Sequence, residues 1–242
     1  MKVLQSGRLG NFLFQWAFAN HVANLNNKRS QIIFDRFHSD ISQVKDLQEY
    51  FNSDKVEIIE KNLYGYGFKT LDYLEAKTPQ ISSAIQKVLR IYTEGECEIP
   101  GSFKIYRGFF QDSKFAISLN DADLAKLLRK VESANLDFQS RNSDFQNYKD
   151  YQVAHLRLGD FKNSSFGVIK LKSMLDLLRP NLPTVICTDG SREEIIARIG
   201  STEYEILTPT ESNAWETLSI ITSAKRVISS NSTMSWWGAF LA

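Results

Sequence analysis

The second half of the chain alternates short apolar runs with helical patterns, and this alternation restricts the fold more than any other feature. Four strands are predicted, at residues 151–156, 184–187, 204–207 and 226–229. Four helices are predicted to follow them, at residues 171–178, 191–200, 214–224 and from 232 onward. Strand–helix units in this number predict a doubly wound parallel sheet, in which ligands bind beyond the carboxyl ends of the strands.

The first half begins with the same alternation and then becomes less regular. Residues 2–5 predict a strand, and residues 11–26 predict an apolar helix after a glycine-containing turn. Weaker patterns predict strands at residues 31–34, 56–59 and 103–106, and helices at residues 83–92 and 121–131. We expect two domains, 1–147 and 148–242, joined through the polar residues 140–150, which are otherwise an exposed loop.

Composition and charge set the class of protein. The chain has 242 residues, 43% of them hydrophobic and 24% charged, which is typical of a globular protein that buries a core. The 29 Lys and Arg residues nearly balance the 28 Asp and Glu residues, so the net charge is +1. No overall field attracts nucleic acid, and any anion site has to be local.

Cysteine spacing and hydropathy bear on metals, disulfides and membranes. Cys97 and Cys187 stand far apart with no other Cys or His near them, which predicts neither a zinc site nor a disulfide framework. No apolar stretch approaches the roughly 20 residues that span a bilayer, and residues 1–20 lack the pattern of a signal peptide. We expect a cytoplasmic protein whose membrane contact, if any, is peripheral and on the inner face.

The first candidate site is the turn at residues 6–11, between the first strand and the first helix. Gly10 lets the backbone approach a ligand, and free amides at the start of a helix can hold a phosphate. Arg8 and Asn11 add a cation and an amide there. The alternative is a tight turn with a surface arginine, because two glycines in such a turn are weak evidence.

The second candidate is the segment His-Leu-Arg-Leu-Gly-Asp at residues 155–160, where a predicted strand ends. Strand alternation places His155 and Arg157 on one face. An arginine at a strand end can bind a diphosphate with both arms and neutralise charge on the leaving group. The alternatives are an arginine paired with Asp160 and a buried, hydrogen-bonded histidine.

Two more candidates follow later strands. Asp189 could bind a base or a ribose, or only cap the helix that Ser191 begins. The hydroxyl-rich residues 229–235 run into a helix start, where Ser232 and Thr233 predict a second phosphate site. The alternatives are a simple helix cap and core packing for the paired tryptophans that follow.

These segments occur in the same order in glycosyltransferase family 11, the α-1,2-fucosyltransferases, part of a superfamily with the GT-B fold. Residues 7–17 resemble the family's Gly-Gly-x-Gly-Asn-Gln-x-x-Gln-Tyr-Ala opening, and residues 106–115 its Gly-Tyr-Phe-Gln-Ser-Glu-Lys-Tyr-Phe segment. Residues 155–160 are similar to its His-x-Arg-Arg-Gly-Asp motif, and residues 188–189 to its Ser-Asp-Asp. Residues 228–241 are similar to its Ile-x-Asn-Ser-Ser-Phe-Ser-Trp-Trp-x-Ala-Trp-Leu run, so the matches span nearly the whole chain.

Four residues depart from the family's pattern: Arg8 replaces a Gly, Phe12 a Gln, Leu158 the second Arg and Gly190 the second Asp. The related protein O-fucosyltransferases use a Gly-Arg-x-Gly-Asn opening and a His-x-Arg followed by an aliphatic residue. Arg157 therefore carries over as the essential arginine. The chain ends at Ala242, where members of the family usually continue, as expected of a fragment or a trimmed chain.

The resemblance implies two Rossmann-like domains facing across a cleft and an inverting, metal-independent transfer of fucose. The donor would be GDP-fucose, and the acceptor the 2-hydroxyl of a galactose-terminated oligosaccharide or lipopolysaccharide-type glycan. No cofactor is implied, and no Asp-x-Asp metal motif stands at a predicted strand end. The implied roles are Arg157 at the departing β-phosphate, Arg8, Gly10 and Asn11 at the phosphate and fucose, His155 at GDP, Asp189 at guanosine, and Ser232 and Thr233 at the diphosphate. An inverting transfer needs a base or a strongly dissociative transition state. No residue is an obvious base, and Asp160 is the candidate that we name.

Three other functions fit the same residues. The first is a related glycosyltransferase that uses another donor. Measuring turnover with a series of GDP- and UDP-sugars would distinguish it from a fucosyltransferase. A catalytically degenerate nucleotide-sugar- or glycan-binding protein would bind without turnover, a reading that Leu158 and Gly190 motivate. An α/β protein whose phosphate sites serve an unrelated nucleotide is the third.

Overall fold

The computed structural model describes residues 1–35, 44–61, 73–89, 91–94, 105–143, 145, 150–159, 171–200 and 203–242. By its internal contacts the chain divides into two compact units, Met1–Lys126 and Leu127–Ala242. The division lies within a long helix and comes earlier than residues 147 and 148, where the sequence predicted the boundary. No helix in the described part of the chain is both long and apolar enough to cross a bilayer.

Unit 1 is built on a five-stranded parallel sheet in the order β3-β2-β1-β5-β4. Its described strands are β1 (Lys2–Leu4), β2 (Ser30–Asp35), β3 (Val56–Lys61), β4 (Ile91–Thr93) and β5 (Ile105–Arg107). Its described helices are α1 (Leu9–Asn26), α2 (Val44–Phe51), α3 (Pro79–Leu89) and α4 (Ser113–Ile117), and residues 73–77 are also helical. Strand order reverses at β1, which makes the carboxyl end of β1 the switch point of this sheet.

Helix α1 forms the centre of unit 1 because it is apolar on nearly every side. Phe12 packs against Phe34 of β2 and Phe51 of α2. Nearly two turns further along and on another side of the helix, Phe18 stacks on Phe110 with ring centroids 3.8 Å apart. The helix therefore covers the sheet from β2 across to the loop after β5, and its first turn is fixed at the exit of β1.

Unit 2 is built on a four-stranded parallel sheet in the order β8-β7-β6-β9. Its strands are β6 (Gln152–Leu156), β7 (Thr184–Thr188), β8 (Glu205–Leu207) and β9 (Arg226–Ser229). Its described helices are α5 (Asp121–Arg141, which begins in unit 1), α6 (Leu171–Leu175), α7 (Arg192–Ile199), α8 (Ala214–Ser223) and α9 (Thr233–Leu241). Strand order reverses at β6, between β7 and β9.

Both faces of this second sheet are buried. Val153 and Val185 pack on one side with residues of α5 and α8, while Ala154 and Ile186 pack on the other with residues of α6 and α7. Alternate strand residues thus enter two separate cores, as a doubly wound sheet requires. The doubly wound parallel sheet that the sequence predicted is confirmed.

The main differences from the predicted elements lie in the first 150 residues. The helix predicted at residues 83–92 ends at Leu89, and Ile91–Thr93 form β4, because Ile91 and Tyr92 are buried beside β5. The helix predicted at residues 121–131 continues to Arg141, because Ala134 and Phe138 extend its buried stripe. Tertiary burial decides both ends, and local sequence pattern does not record it.

Candidate functional site

The switch point of unit 2 lies at the carboxyl ends of β6 and β9, where doubly wound sheets bind ligands. The two strands pair with His155 opposite Ser229. Beyond the pair, the Ser230 amide donates to the His155 carbonyl over 3.0 Å, and the Ser230 hydroxyl accepts from the Arg157 amide over 2.9 Å. Ser230 therefore joins the two strand exits and holds the backbone of Arg157.

Arg157 is held from a second side by Asp189, which follows β7. The guanidinium Nε lies 3.2 Å from Asp189 Oδ2, and the two side chains are only 18% and 14% exposed. The other carboxylate oxygen, Oδ1, accepts from the amides of Leu158 at 2.6 Å and Gly159 at 2.9 Å. One carboxylate thus binds both the arginine and the loop that carries it.

This arrangement differs from the partners that the sequence offered. The sequence proposed Asp160 as a partner for Arg157 and as a base, and Asp160 lies outside the described residues. The helix cap that Asp189 might have supplied is made by Ser191, whose hydroxyl accepts from the Glu194 amide over 3.2 Å. Ser191 takes the capping role, and Asp189 bonds to the loop after β6.

His155 lies beneath this edge of the sheet and is almost completely buried. Its Nδ1 is 2.5 Å from the Ser235 hydroxyl in α9. Burial lowers the pKa of His155 to about 4; the Asp189 carboxylate opposes the change and the Arg157 guanidinium adds to it. The imidazole is therefore neutral at pH 7 and contributes no positive charge to the site. Its hydrogen bond to Ser235 connects β6 to α9.

Helix α9 begins at the same edge. Ser232 is its N-cap residue, makes no capping bond, and has a buried Oγ with no hydrogen-bond partner among the described residues. Thr233 is the first helical residue, and the first amides of any helix point out of the helix start. Such a helix start, with a buried hydroxyl beside it, suits an anion. Of the paired tryptophans, Trp237 is fully buried, as core packing predicts.

The switch point of unit 1 joins the exits of β1 and β5. Gln15, fully buried in α1, donates from Nε2 to the Gly108 carbonyl over 2.7 Å and accepts from the Ser6 amide over 3.3 Å. Gln111 Nε2 donates to Asn11 Oδ1 over 3.1 Å. The turn after β1 and the loop after β5 therefore form one continuous surface.

The predicted residues of the first candidate all lie in the turn after β1 or in the first turn of α1. Arg8 is exposed, and its carbonyl accepts from the Asn11 amide at the start of α1, while Gly10 is buried in the first turn. Gly7 has a φ of +79°, and a Cβ there would lie 2.1 Å from Asn11 Nδ2. The glycine at this position lets the Asn11 side chain fold back over the turn.

A carboxylate that the sequence did not single out holds the loop after β5. Glu94, which follows β4, accepts from the amides of Phe109 at 2.7 Å and Phe110 at 2.8 Å. Phe110 has a φ of +53°, a conformation that is costly for an aromatic residue and that these two bonds stabilise. Phe109 is 42% exposed beside them.

Sequence reasoning missed four residues that organise these sites: Gln15, Glu94, Ser230 and Ser235. Gln15 had a signal, since it is a polar residue in a helix that is otherwise apolar on most sides. Ser230 and Ser235 lie within the hydroxyl-rich segment that the sequence did single out. Glu94 had none, because its role depends on β4 lying next to β5 in the sheet.

Two of the departures from the family pattern contact each other. A Cβ on Gly190 would lie 2.9 Å from Leu158 Cδ1 and 3.3 Å from Glu194 Oε2. Leu158 is 1% exposed and belongs to the core below β6 and β7. Arg157 is therefore the cation at this point of the loop, and residue 158 is an apolar anchor.

Metal ligands do not gather at either switch point in the part of the chain that the structure describes, since no three His, Cys, Asp or Glu side chains cluster there. Cys187 lies in β7 and is fully buried, and burial raises the pKa of its thiol to about 12. Its neighbours are apolar core residues, so it is an inert core residue.

No model of a known protein family matches the chain, and no curated protein sequence matches it. Solved structures do match. The fucosyltransferase NodZ from Bradyrhizobium superposes with a TM-score of 0.55 at 10% identity, covering 100% of this chain and 92% of that chain. With the same coverages, the NodZ α-1,6-fucosyltransferase co-crystallised with GDP gives 0.53 at 11% identity, and that enzyme soaked with GDP-fucose gives 0.53 at 10%. The chain has the GT-B glycosyltransferase fold, as the sequence predicted.

Proposed function

We propose that the chain is a fucosyltransferase that uses GDP-fucose. The observation that carries the proposal is Arg157, a mostly buried arginine fixed at the switch point of a GT-B sheet by Asp189 and Ser230. A diphosphate leaving group gains negative charge as its bond to the sugar breaks, and a fixed guanidinium can stabilise that charge. The NodZ structures co-crystallised with GDP and soaked with GDP-fucose support this choice of donor.

In the proposed reaction an acceptor hydroxyl oxygen attacks C1 of fucose from the face opposite GDP. The bond between C1 and the β-phosphate oxygen breaks, and its electron pair leaves with GDP, whose charge Arg157 stabilises. The hydroxyl proton passes to a base or to water, and Asp160 is the residue that we propose for this step. The outcome is inversion at C1.

The remaining site residues bind the donor in this proposal. The start of α9, with Ser232 and Thr233, takes further phosphate charge, so that no metal is required. Arg8, Gly10 and Asn11 keep the roles toward phosphate and fucose that the resemblance assigns to them. His155, neutral and bonded to Ser235, contributes by fixing the end of β6 against α9.

The proposed linkage is α-1,2, to the galactose of a galactose-terminated glycan, on the strength of the sequence resemblance. The alternative linkage is α-1,6, which NodZ makes. Lactose tests both, because its galactose offers a 2-hydroxyl and a 6-hydroxyl. The position of fucose in the product is read by NMR, and a 6-linked product would replace the α-1,2 assignment while keeping the fucosyltransferase.

The test of the function is GDP release from GDP-fucose with and without lactose, in EDTA and again with Mg²⁺. We expect lactose-dependent release at equal rates in the two conditions. UDP-galactose and GDP-mannose serve as control donors and should release no nucleotide. GDP release that requires Mg²⁺ would overturn the metal-independent mechanism. Nucleotide release from a control donor, with none from GDP-fucose, would overturn the assignment of GDP-fucose as the donor.

A second candidate function is a nucleotide-sugar-binding protein without turnover. Leu158 favours it, because this buried leucine stands where glycosyltransferase family 11 has a second arginine. The loop therefore carries one positive charge fewer than the family's pattern. The same experiment decides between the two. Binding of GDP-fucose in a calorimeter, with no GDP released across a panel of galactosides, would identify the binding protein.

A further inference from the structure

We propose that Asp189 is a positioning residue for Arg157 and does not bind the nucleoside. Its carboxylate fixes the direction of the guanidinium and the shape of the β6 loop together, so that the cation reaches a diphosphate in one orientation. The inference deepens the proposed function and rests on it. It reassigns the residue that the sequence placed at guanosine.

The first argument is that both oxygens of Asp189 already have partners. Oδ1 accepts from the amides of Leu158 and Gly159, and Oδ2 pairs with Nε of Arg157. A guanine amine or a ribose hydroxyl would have to displace one of these groups. A buried amide that loses its acceptor keeps its full desolvation penalty, so the existing contacts are favoured over a new one.

The second argument is the position of the contact on Arg157. Nε lies where the guanidinium joins the side-chain stem, so an ion pair there fixes the direction of the whole group. The backbone on either side is also held, by Ser230 at the Arg157 amide and by burial of Leu156 and Leu158. The arginine is thus oriented before any ligand arrives, which is how a preorganised charge stabilises a transition state.

The third argument comes from the neighbouring strand. Glu211 follows β8 as Asp189 follows β7, and it also pairs with an arginine, Arg192, over 3.4 Å. Its side chain and that of Arg192 are 35% and 40% exposed, about twice as exposed as the Asp189 pair. Glu211 accepts otherwise from Thr208 and Thr210 in its own loop. It is the matched control: a strand-exit carboxylate whose arginine partner is Arg192.

The experiment compares GDP with guanosine as ligands of the full chain, by calorimetry. Asp189→Asn keeps an oxygen for the two loop amides and removes the charge that faces Arg157. We expect it to weaken GDP binding by roughly tenfold and guanosine binding by less than twofold, because only GDP presents phosphate to the arginine. Glu211→Gln should leave the ratio of the two affinities unchanged.

A double-mutant cycle shows whether Asp189 acts through Arg157. In an Arg157→Gln background, Asp189→Asn should cost no further GDP affinity, because the group that it positions is gone. This pair also guards against misfolding of the single variant, since removing both charges leaves no lone buried ion. A thermal melt checks that each variant is folded.

The outcomes separate the inference from the function on which it rests. Equal weakening of guanosine and GDP by Asp189→Asn, or a full additional loss in the Arg157→Gln background, would overturn the positioning role and restore the guanosine contact. A changed affinity ratio in Glu211→Gln would also overturn it, as a general effect of strand-exit carboxylates. Wild-type protein that binds neither ligand would overturn the proposed function itself.

Discussion

The exits of β5 in unit 1 and β6 in unit 2 are built on one plan with one difference. In each, a carboxylate from the adjacent strand exit accepts two consecutive loop amides: Glu94 holds Phe109 and Phe110, and Asp189 holds Leu158 and Gly159. In each, an arginine precedes the loop. In unit 1 that arginine, Arg107, pairs with Glu75 over 3.6 Å, whereas in unit 2 the loop-holding carboxylate itself pairs with the arginine.

The comparison shows how a common loop support can be combined with a charge. Where one carboxylate serves both loop and arginine, the position of the cation depends on the shape of the loop. In unit 1, Glu94 holds the loop and Glu75 pairs with the arginine, so the position of Arg107 does not depend on the carboxylate that holds the loop. That loop exposes Phe109. We therefore expect unit 2 to supply the positive charge for the leaving group.

The largest expected effect is the difference in turnover between variants of Arg157 and of Arg107. Arg157→Ala should weaken GDP binding and lower turnover of GDP-fucose by about 10²-fold or more, because it removes a fixed charge that acts on the departing phosphate. Arg107→Ala should lower turnover by less than about threefold. Steady-state GDP release measures both. Near-normal turnover of Arg157→Ala would break the comparison and the leaving-group assignment together.

A smaller effect is expected for the glycines beside the two carboxylates. In Gly108→Ala the new Cβ would lie 2.5 Å from Glu94 Cβ at a φ of +149°, so unfolding free energy should fall by about 2 kcal/mol. In Gly190→Ala it would meet the flexible end of Leu158, and the loss should stay below about 1 kcal/mol. Urea unfolding measures both.

Equal losses in the two variants would contradict the distinction between a rigid and a yielding neighbour. Hydrogen exchange of the β4 and β7 peptides then assigns each loss to its own unit. The exchange should rise in β4 for Gly108→Ala and stay near wild type in β7 for Gly190→Ala.

The last expected effect is a pH dependence of unit 2. The pKa of His155 is about 4 in the folded chain against an ordinary value of 6.5, so the unfolded chain binds the proton first as pH falls. Stability is therefore complete above pH 6.5 and is lost between pH 6.5 and 4, by about 2 kcal/mol at pH 5. Urea unfolding at pH 7.5 and pH 5 measures the loss.

The control for this pH effect is His155→Asn, which keeps an amide near Nδ1 and removes the titration. Its difference between the two pH values should be smaller than that of the wild type. In unit 1 burial, aided by Lys114, also lowers the pKa of His21, which is less buried than His155. Exchange in β6 should thus respond to pH more than exchange in β1, and a uniform response would contradict the assignment to His155.

The parts of the fold that the sequence predicted are those that depend on local pattern. Alternation gave the strands of unit 2, and the spacing of Ser191, Glu194 and Gly200 predicted a helix whose cap and stop both occur as expected. The strand at Ile91–Thr93 escaped because its burial depends on pairing with β5, which local pattern does not contain.

For the candidate site, the sequence predicted the positions of residues at the sheet edge but not their hydrogen-bond partners. Arg157 and Ser232 lie at the carboxyl edge of the sheet, as parallel-sheet geometry dictates for residues that follow β6 and β9. Their partners were not predictable, because Asp189 reaches Arg157 across a strand pairing and Ser230 reaches it from the other side. Sequence order shows which residues leave a strand, and only the register shows which of them meet.

The strand order of unit 2 also determines when its site can exist. The central strand β6 pairs with β9, and about seventy residues of chain separate the two strands. During synthesis on the ribosome, Arg157 therefore emerges long before Ser230 can hold it. The edge where β6 meets β9 is the last part of this unit to assemble, so slow pairing of β9 would leave the Arg157 amide without its bond to Ser230.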